Sequence, residues 1–477
     1  MEITFPKINK FELGVTLLIF LISALFGVAI AFFDSQYFFA DYIAVRIVYF
    51  WLVVLAAFIV FKQYNKWGWD FLFSPMTWVL IGFIFFLTLT PLFYPQEFEV
   101  YTNPNQYIRL FLTTWLGILL FSTSYTFAPT ITTGFISDWL FKPILINKLT
   151  KLILIAIGIY WIAQYFISIS GGFSFFEYLL MDRYLLGDKY ELQKLFGNVY
   201  YLRLIVGIIP SAITIPAIYC LLNPMVGKFN KSFIASGFIL ILFKAVLAGG
   251  RFSMAKEIIS PIIYLMVKDE NKQYLSRRNL AIGSIAILLV MILAMVQISS
   301  RYKGITSVLS GDFKPMSALK RNLVTHTVDQ NFVMHRILQA EQSGDLEHVL
   351  GESYVLTFVA FIPRSLWSGK PAGPDMYEKL SNINPFPNYN ISYSVLGEMI
   401  VNFGLISIIP GMLIFGFSAG IWWNIFQKNR HSDKMQILYS WSVLSFAFMV
   451  RGNFHDTAGS LLYTLFAMII LLSFSTE

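Results

Sequence analysis

Arginine side chains recur at the ends of the apolar segments of this sequence and in its longest polar segment. A guanidinium is a flat fork of donors that grips a phosphate at two points and stays charged when partly buried. Charged groups at the ends of such segments are costly and usually mark a functional cavity. The arginines that predict an anion-binding site are Arg203, Arg251, Arg301, Arg364 and Arg451. For each of them, snorkelling to lipid headgroups or pairing with a carboxylate is the alternative.

Three residues are candidates for a base beside such an anion. A pyrophosphate leaves readily once cations stabilise its charge, so the remaining need is a group that accepts the proton of an acceptor hydroxyl. A carboxylate stays ionised among arginines, which favours Glu398, one turn into a predicted helix. His335 and His455 are the histidine candidates for the same role. An ion pair with a nearby arginine is the alternative interpretation of Glu398.

The sequence predicts no metal centre and no cofactor. The spacings of His326, His335 and His348 do not place two imidazoles on adjacent helical turns, as a metal pair requires. The acidic pairs Glu97/Glu99 and Asp345/Glu347 have spacings that can hold a divalent ion but also arise by chance. The chemistry expected here therefore depends on arginines and one base.

The composition places these residues in a membrane protein. Of the 477 residues, 57% are hydrophobic and only 13% are charged, whereas a soluble domain has about 25% charged residues. The mean hydropathy of +0.65 excludes a soluble globular protein, a disordered chain and a nucleic-acid-binding module. The single cysteine, Cys220, excludes a disulfide scaffold.

Apolar segments of membrane-spanning length repeat along the chain. Because a helix needs about 20 apolar residues to cross a bilayer, the sequence predicts an all-α polytopic protein of about twelve transmembrane helices. The predicted spans lie near 11–33, 42–61, 71–93, 107–127, 149–169, 201–222, 232–248, 252–267, 279–298, 395–423, 436–450 and 457–474. The predicted organisation is nine spans in 1–298, a large loop at 299–394, and three spans in 395–477.

The lysines predict the orientation of these spans. Cytoplasmic loops are enriched in basic residues, and a cytoplasmic N-terminus places thirteen lysines inside: Lys7, Lys10, Lys62, Lys66, Lys142, Lys148, Lys151, Lys228, Lys231, Lys268, Lys272, Lys428 and Lys434. An even number of spans returns the C-terminus to the cytoplasm, and 299–394 then faces outward. The candidate arginines lie on the outer side, where a lipid-linked phosphate is the natural ligand.

The outer loop has its own helical pattern. Apolar residues recur at helical spacing over 317–349, which predicts an amphipathic helix that also holds His335. A basic loop bracketed by prolines follows at 363–371 and contains Arg364. An amphipathic cap over an opening between the helices would explain both features.

Four short motifs occur in an order that resembles the Wzy-type O-antigen polymerases, over about 245–455. They are Gly249-Gly250-Arg251, Ile362-Pro363-Arg364 through Lys370-Pro371, Leu396-Gly397-Glu398 through Asn402-Phe403-Gly404, and Arg451-Gly452-Asn453. The resemblance implies the membrane glycosyltransferase fold of the O-antigen ligases, and no metal. It implies transfer of a growing glycan from undecaprenyl pyrophosphate to the non-reducing end of a lipid-linked repeat unit. It assigns Arg251, Arg364 and Arg451 to the active site.

The resemblance also implies a place and partners for the protein. The place is the inner membrane of a bacterium, with the large loop in the periplasm. The partners are undecaprenyl-pyrophosphate-linked oligosaccharide, membrane lipids and a chain-length regulator protein, with no nucleic acid. An O-antigen ligase, which uses the same donor, is the first alternative. A polysaccharide flippase or transporter is the second, although only Lys244 approaches a helix interior in this interpretation.

The orientation is tested by fusing reporters that are active on one side of the membrane only. We expect phosphatase activity for fusions near residue 340 and fluorescence for fusions at the C-terminus, because the lysines fall on alternate loops. Fusions after Lys66 and Lys142, which should report the cytoplasm, are the internal control. Cytoplasmic signal at residue 340 would overturn the orientation.

Overall fold

The computed structural model describes most of the chain. The described residues are 2–4, 42–93, 104–132, 134–172, 174–175, 206–248, 251–268, 330–359, 362, 367, 393–452 and 454–476. The predicted spans at 11–33 and 279–298 lie outside these residues.

The described residues are almost all helical. Two short strands, β1 (Glu2–Thr4) and β2 (Thr130–Thr132), pair antiparallel. The helices are α1 (Tyr42–Trp67), α2 (Pro75–Phe83), α3 (Leu89–Phe93), α4 (Pro104–Thr126), α5 (Gly134–Phe141), α6 (Ile146–Ser170), α7 (Ile208–Leu222), α8 (Lys228–Ala248), α9 (Arg251–Lys268), α10 (330–343), α11 (Glu352–Val359), α12 (Ser394–Phe403), α13 (Ile408–Lys428), α14 (Asp433–Arg451) and α15 (Phe454–Phe474). A 3₁₀ turn, Gly68–Phe73, follows α1, and a π-helical turn, Ile84–Thr88, joins α2 to α3.

Five helical segments among the described residues are long and apolar enough to cross a membrane, by length and composition. They are Val45–Phe73, Tyr107–Thr126, Ile146–Ser170, Leu405–Lys428 and Thr457–Phe474. The prediction of a helical membrane protein is confirmed. The number of twelve spans and the outer position of 299–394 stay predictions.

The predicted span at 395–423 is broken into two helices in the structure. The helices α12 and α13 are separated at Gly404, which has φ +81°, and by the 3₁₀ turn Leu405–Ser407. A Cβ at Gly404 would lie 2.9 Å from Oε1 of Glu341 on α10, so glycine also allows a close approach here. Hydropathy did not reveal this break because the residues on both sides of it are apolar.

Helix α14 lies at the centre of the described bundle. It packs against α2, α9 and α15, and nearly all of its side chains are buried. Its first turn is capped by Ser432, whose Oγ accepts the N–H of Met435 at 3.3 Å. Asp433 in the first turn and Arg451 in the last turn match the helix dipole. These signals fix both ends of α14, and therefore the position of Arg451.

The pair α4 and α13 packs through small residues. A Cβ on Gly416 would lie 2.2 Å from Ser124 Oγ, and one on Gly420 would lie 2.5 Å from Ala128 Cβ and 2.6 Å from Tyr125 O. Small residues let helix backbones approach closely in a membrane, where packing replaces the hydrophobic effect between helices. The contact fixes α13 and hence the position at which the break after Gly404 ends.

Gly420→Ala is expected to destabilise the bundle by about 1–3 kcal/mol, the usual cost of overpacking. The clash is with the backbone of α4, which cannot rotate away. The matched control is Gly158→Ala on α6, since no heavy atom lies within 4 Å of a Cβ there. Thermal unfolding of the detergent-purified variants measures both. Equal midpoints for the two variants would contradict the close contact of α4 and α13.

Candidate functional site

Glu398 lies at a buried junction between α12 and the turn that joins α14 to α15. Its side chain is fully buried. Its Oε2 accepts the backbone N–H of Phe454, 56 residues away in the sequence. Arg451 ends α14 just before this turn. The fold therefore brings the candidate base and one candidate arginine to the same turn.

Hydrogen bonds of the Asn402 side chain join α12 to the start of α11. Its Nδ2 donates to Glu398 O at 2.7 Å and to Ser353 Oγ at 2.8 Å. Its Oδ1 accepts the N–H of Gly351 at 2.9 Å. The Asn402 amide thus forms hydrogen bonds both within α12 and to residues 351–353. These bonds hold the turn of α12 that bears Glu398 against the start of α11.

Backbone hydrogen bonds complete the same junction. The N–H of Val349 donates to Val401 O, and the N–H of Leu350 donates to Asn402 O, both at 3.1 Å. These carbonyls belong to the last turn of α12, where the break at Gly404 ends the helix. Carbonyls in a last helical turn lack intrahelical donors. Val349 and Leu350 supply donors to two of these carbonyls, so this segment and α12 form one unit.

Helix α10 packs closely on the other side of α12. A Cβ at Gly397 would lie 2.9 Å from Met334 Sδ and 3.0 Å from Ile337 Cδ1. Ser394 Oγ accepts the N–H of Gly397 at 3.1 Å, which satisfies one donor of the first turn of α12. The glycine before Glu398 is therefore required by the approach of α10.

Aromatic rings surround the Glu398 junction. The Tyr354 ring stacks on Phe403, with centroids 6.2 Å apart, and meets Phe454 edge-on at 5.5 Å. Burial, and to a lesser extent the Glu398 carboxylate, raise the pKa of Tyr354 well above its ordinary value. Tyr354 is thus a neutral phenol. The rings limit the access of water to the carboxyl.

Arg451 contacts an aromatic ring of the π-helical turn. Its guanidinium carbon lies 5.8 Å from the centroid of Phe86, and the side chain is half-buried. The carbonyl of Phe86 accepts from Nδ2 of Asn331 on α10 at 3.0 Å. The end of α14, the π-helical turn and the start of α10 therefore meet at this point.

His335 is buried on α10 beside helix α4. Its ring meets the ring of Tyr107 edge-on, with centroids 5.6 Å apart. Burial, assisted by the neighbouring charge of Arg336, lowers its pKa to about 3. A base with such a pKa accepts protons poorly at neutral pH. These contacts favour a packing role for His335 over proton transfer.

For the other candidate site residues, the structure describes either the backbone alone or nothing. Arg251 is the first residue of α9, and His455 is the second residue of α15. The side chains of these two residues lie outside the described set. Arg203, Arg301 and Arg364 lie outside the described residues altogether. Convergence of Arg251 and Arg364 with Arg451 stays a prediction.

Sequence analysis missed a second buried polar group inside the bundle. Lys256 and Glu257 on α9 are buried, with 7% and 3% of their surface exposed. Lys244 on α8 is 9% exposed and donates to Gln164 of α6. The sequence contains a signal for these buried residues, because Lys256 and Glu257 are two charged residues inside the predicted span 252–267. The argument against transport, that only Lys244 approaches a helix interior, is therefore wrong.

No known protein-family model, curated protein or solved structure matches this chain. The resemblance stated from the short motifs therefore remains a prediction, and function has to be argued from the site itself.

Acidification is expected to destabilise the protein through His335. Its pKa is about 3 in the folded protein, below the ordinary 6.5. Between these values the unfolded chain binds a proton that the folded chain does not. The free energy of unfolding should therefore fall as the pH drops below about 6.5, by up to about 1.4 kcal/mol per pH unit from this group.

Thermal unfolding between pH 7.5 and pH 5 tests this in wild type, His335→Gln and His348→Gln. The His335→Gln variant should show a shallower loss of stability with acid. The control changes an exposed histidine that faces Glu341 at 3.5 Å. An unchanged pH dependence in His335→Gln would show that this imidazole is not buried in the neutral form.

Proposed function

We propose that this protein is a membrane glycosyltransferase that polymerises lipid-linked oligosaccharide repeat units of an O-antigen or capsule. The growing glycan would move from undecaprenyl pyrophosphate to the non-reducing end of an incoming undecaprenyl-pyrophosphate-linked unit. The observation that carries the proposal is the junction of Glu398 with the turn after Arg451. A fixed carboxyl and a guanidinium at one end of a bundle are the minimum that such a transfer needs.

The reaction would use the two residues in different roles. The acceptor hydroxyl attacks the anomeric carbon of the donor sugar, and the bond from that carbon to the pyrophosphate oxygen breaks. Glu398 accepts the hydroxyl proton as the new bond forms. Arg451 stabilises the charge that develops on the departing lipid pyrophosphate, where a guanidinium fork covers two oxygens.

The packing around Glu398 suits a base that has to be held in place. The N–H of Phe454 fixes Oε2, and Asn402 fixes the helical turn that bears the residue. A catalytic group that is displaced by about 1 Å can lose about a hundredfold in rate. Rigid support by Phe454, Asn402 and the flanking helix α10 is consistent with that requirement.

In this proposal the reaction takes place at the outer face of the bacterial inner membrane, as the resemblance of the sequence motifs implies. There the lipid-linked substrates would reach the site from the bilayer, and 299–394 would be the periplasmic loop. Arg251, Arg364, Arg301 and Arg203 are the further proposed pyrophosphate ligands. A chain-length regulator would be the protein partner.

An O-antigen ligase is the nearest alternative, since it uses the same donor and would need the same groups. A transporter is a second candidate from another class. The specific observation in its favour is that three ionisable residues on α8 and α9, Lys244, Lys256 and Glu257, are each buried among the helices. A transporter would need these residues, whereas a transferase would need Glu398.

Complementation of a strain that lacks the gene tests these roles. We expect Glu398→Gln to abolish the polymer ladder on a lipopolysaccharide gel while single repeat units stay attached. Glutamine keeps the shape and the acceptor for the Phe454 N–H but is not a base. Asp345→Asn, which changes an exposed carboxylate of the same region, is the control and should restore the full ladder.

Each other outcome points to a different function. Loss of every attached unit indicates a ligase. Lipid-linked units that accumulate on the cytoplasmic side indicate a transporter. A normal ladder from well-expressed Glu398→Gln would remove Glu398 as the base.

A further inference from the structure

Helix α9 contains two adjacent ionisable residues whose side chains contact different neighbouring helices. Lys256 lies between rings of α14, with Nζ 5.8 Å from the centroid of Trp441 and 5.5 Å from that of Phe448. Glu257 contacts hydroxyls of α7 instead. Among the described residues no ion pair within 4.0 Å joins Lys256 to Glu257. Both side chains are buried. Because no ion pair joins them, a charged Glu257 carboxylate would not be neutralised by direct contact with the Lys256 amine.

The contacts of the Glu257 carboxyl are two hydroxyl groups. Oε1 lies 2.8 Å from Ser211 Oγ, and Oε2 is hydrogen-bonded to Thr214 Oγ1. The Thr214 hydroxyl also lies 2.8 Å from the backbone carbonyl oxygen of Pro210. Thr214 therefore has two oxygen neighbours but a single hydrogen to donate.

The count of hydrogens couples the protonation state of the carboxyl to the direction in which the Thr214 hydroxyl donates. If the Thr214 hydrogen is donated to Pro210 O, the contact between Thr214 Oγ1 and Glu257 Oε2 needs a hydrogen from the carboxyl. A protonated Glu257 supplies it and is fully satisfied. An ionised carboxylate in the same place would be desolvated with no adjacent cation in contact, which is costly.

We propose that Glu257 is a proton-binding site inside the helix bundle, occupied at neutral pH, with the Thr214 hydroxyl as its switch. In the occupied state Glu257 donates to Thr214, and Thr214 donates to Pro210 O. When the proton leaves, the Thr214 hydroxyl rotates and donates to Oε2, so the carboxylate is held by Thr214 and Ser211. Both states satisfy the carboxyl and the two hydroxyls, and the transition removes one proton and reorients one hydroxyl hydrogen without moving a heavy atom.

A proline in α9 makes this region locally adaptable. Pro261 has no N–H, so it cannot donate to the carbonyl of Glu257 four residues earlier. Proline within a helix is a common cause of kinks. The turn that bears Glu257 thus lacks one helical hydrogen bond, which favours the small opening that proton exchange with solvent requires.

Each helix packed near Glu257 carries its own set of polar and charged groups. Helix α7 faces it with the hydroxyls of Ser211 and Thr214, and its Tyr219 bonds Asp433 instead. Helix α8 contributes Lys244, which bonds Gln164, and Lys228 and Lys231 in its first turn. Helix α14 has Asp433 and Lys434 at its start and Arg451 at its end. On α9 itself the nearest charge is Lys256, and Lys268 lies over the rings of Tyr219 and Tyr264.

Chemical labelling with dicyclohexylcarbodiimide tests the proposal on the purified full-length protein. This apolar carbodiimide reacts with protonated carboxylic acids, and mass spectrometry identifies the modified peptide. We expect an adduct on Glu257 at pH 6 that falls severalfold by pH 9. Glu257→Gln should give no adduct there. Persistent labelling at pH 9 to the same extent as at pH 6 would overturn the proposal.

A variant of the switch residue gives a second readout. Thr214→Val keeps the shape and removes the hydroxyl that stabilises the carboxylate, so labelling should persist to a pH about one unit higher. The matched control is Thr150→Val, a buried threonine on α6 whose hydroxyl contacts Cys220 at 3.7 Å. An unchanged midpoint in folded Thr214→Val would overturn the role of the hydroxyl.

Two further measurements remove ambiguous outcomes. Infrared spectra detect the carbonyl band of a protonated acid without any probe, and this band should disappear in Glu257→Gln. If the spectra of the wild type and Glu257→Gln at pH 6 do not differ in this carbonyl band, the proposal is overturned. This holds even if the carbodiimide cannot reach the site. Loss of labelling in NaCl but not in KCl at constant pH would instead assign the site to a sodium ion. None of these readouts depends on glycan transfer, so they separate this proposal from the role of Glu398.

Discussion

The break between α12 and α13 at Gly404 leaves backbone carbonyls at the end of α12 without donors from their own helix, and other segments of the candidate site supply hydrogen bonds there. The last carbonyls of α12 have no donors within their own helix, and a nonaqueous bundle supplies none from solvent. Val349 and Leu350 donate backbone N–H groups to Val401 O and Asn402 O, and the Asn402 side chain adds hydrogen bonds to Gly351 and Ser353. Because these bonds fix α12, they also fix Glu398. The site thus depends on a helix end that is completed by a distant segment.

Among the described residues, helix α14 lies between the buried residues Lys256 and Glu257 on one side and the Glu398 junction on the other. Near its middle it presents Trp441 and Phe448 to the Lys256 amine on α9, and at its end it bears Arg451 beside the Glu398 junction. Its side chains are buried along almost the whole length, so it has little freedom to shift relative to its neighbours. Helix α14 therefore links α9 to the Glu398 junction by direct packing.

The two buried glutamates differ in how their charge is accommodated. Glu398 accepts a backbone N–H from Phe454 and lies near a helix end that bears an arginine. Glu257 meets only the hydroxyls of Ser211 and Thr214 among the described residues. A hydroxyl can either donate or accept, whereas a backbone N–H can only donate. The surroundings of Glu257 therefore allow two protonation states, and those of Glu398 favour an acceptor.

The sequence by itself determined the class of the protein, a helical membrane protein. Long apolar segments force helices, because only a helix satisfies its own backbone within a bilayer. Hydropathy predicted a span at 436–450, and the structure extends this helix to Asp433–Arg451, where the Ser432 cap and Arg451 match its ends. Tertiary structure alone decided that Glu398 meets Phe454, that His335 packs on Tyr107, and that Lys256 and Glu257 face the bundle. Apolar helix surfaces are alike in hydropathy, so the sequence does not specify which surfaces pack together; close contacts at positions such as Gly397 and Gly420 do, and these arise only when the helices are assembled.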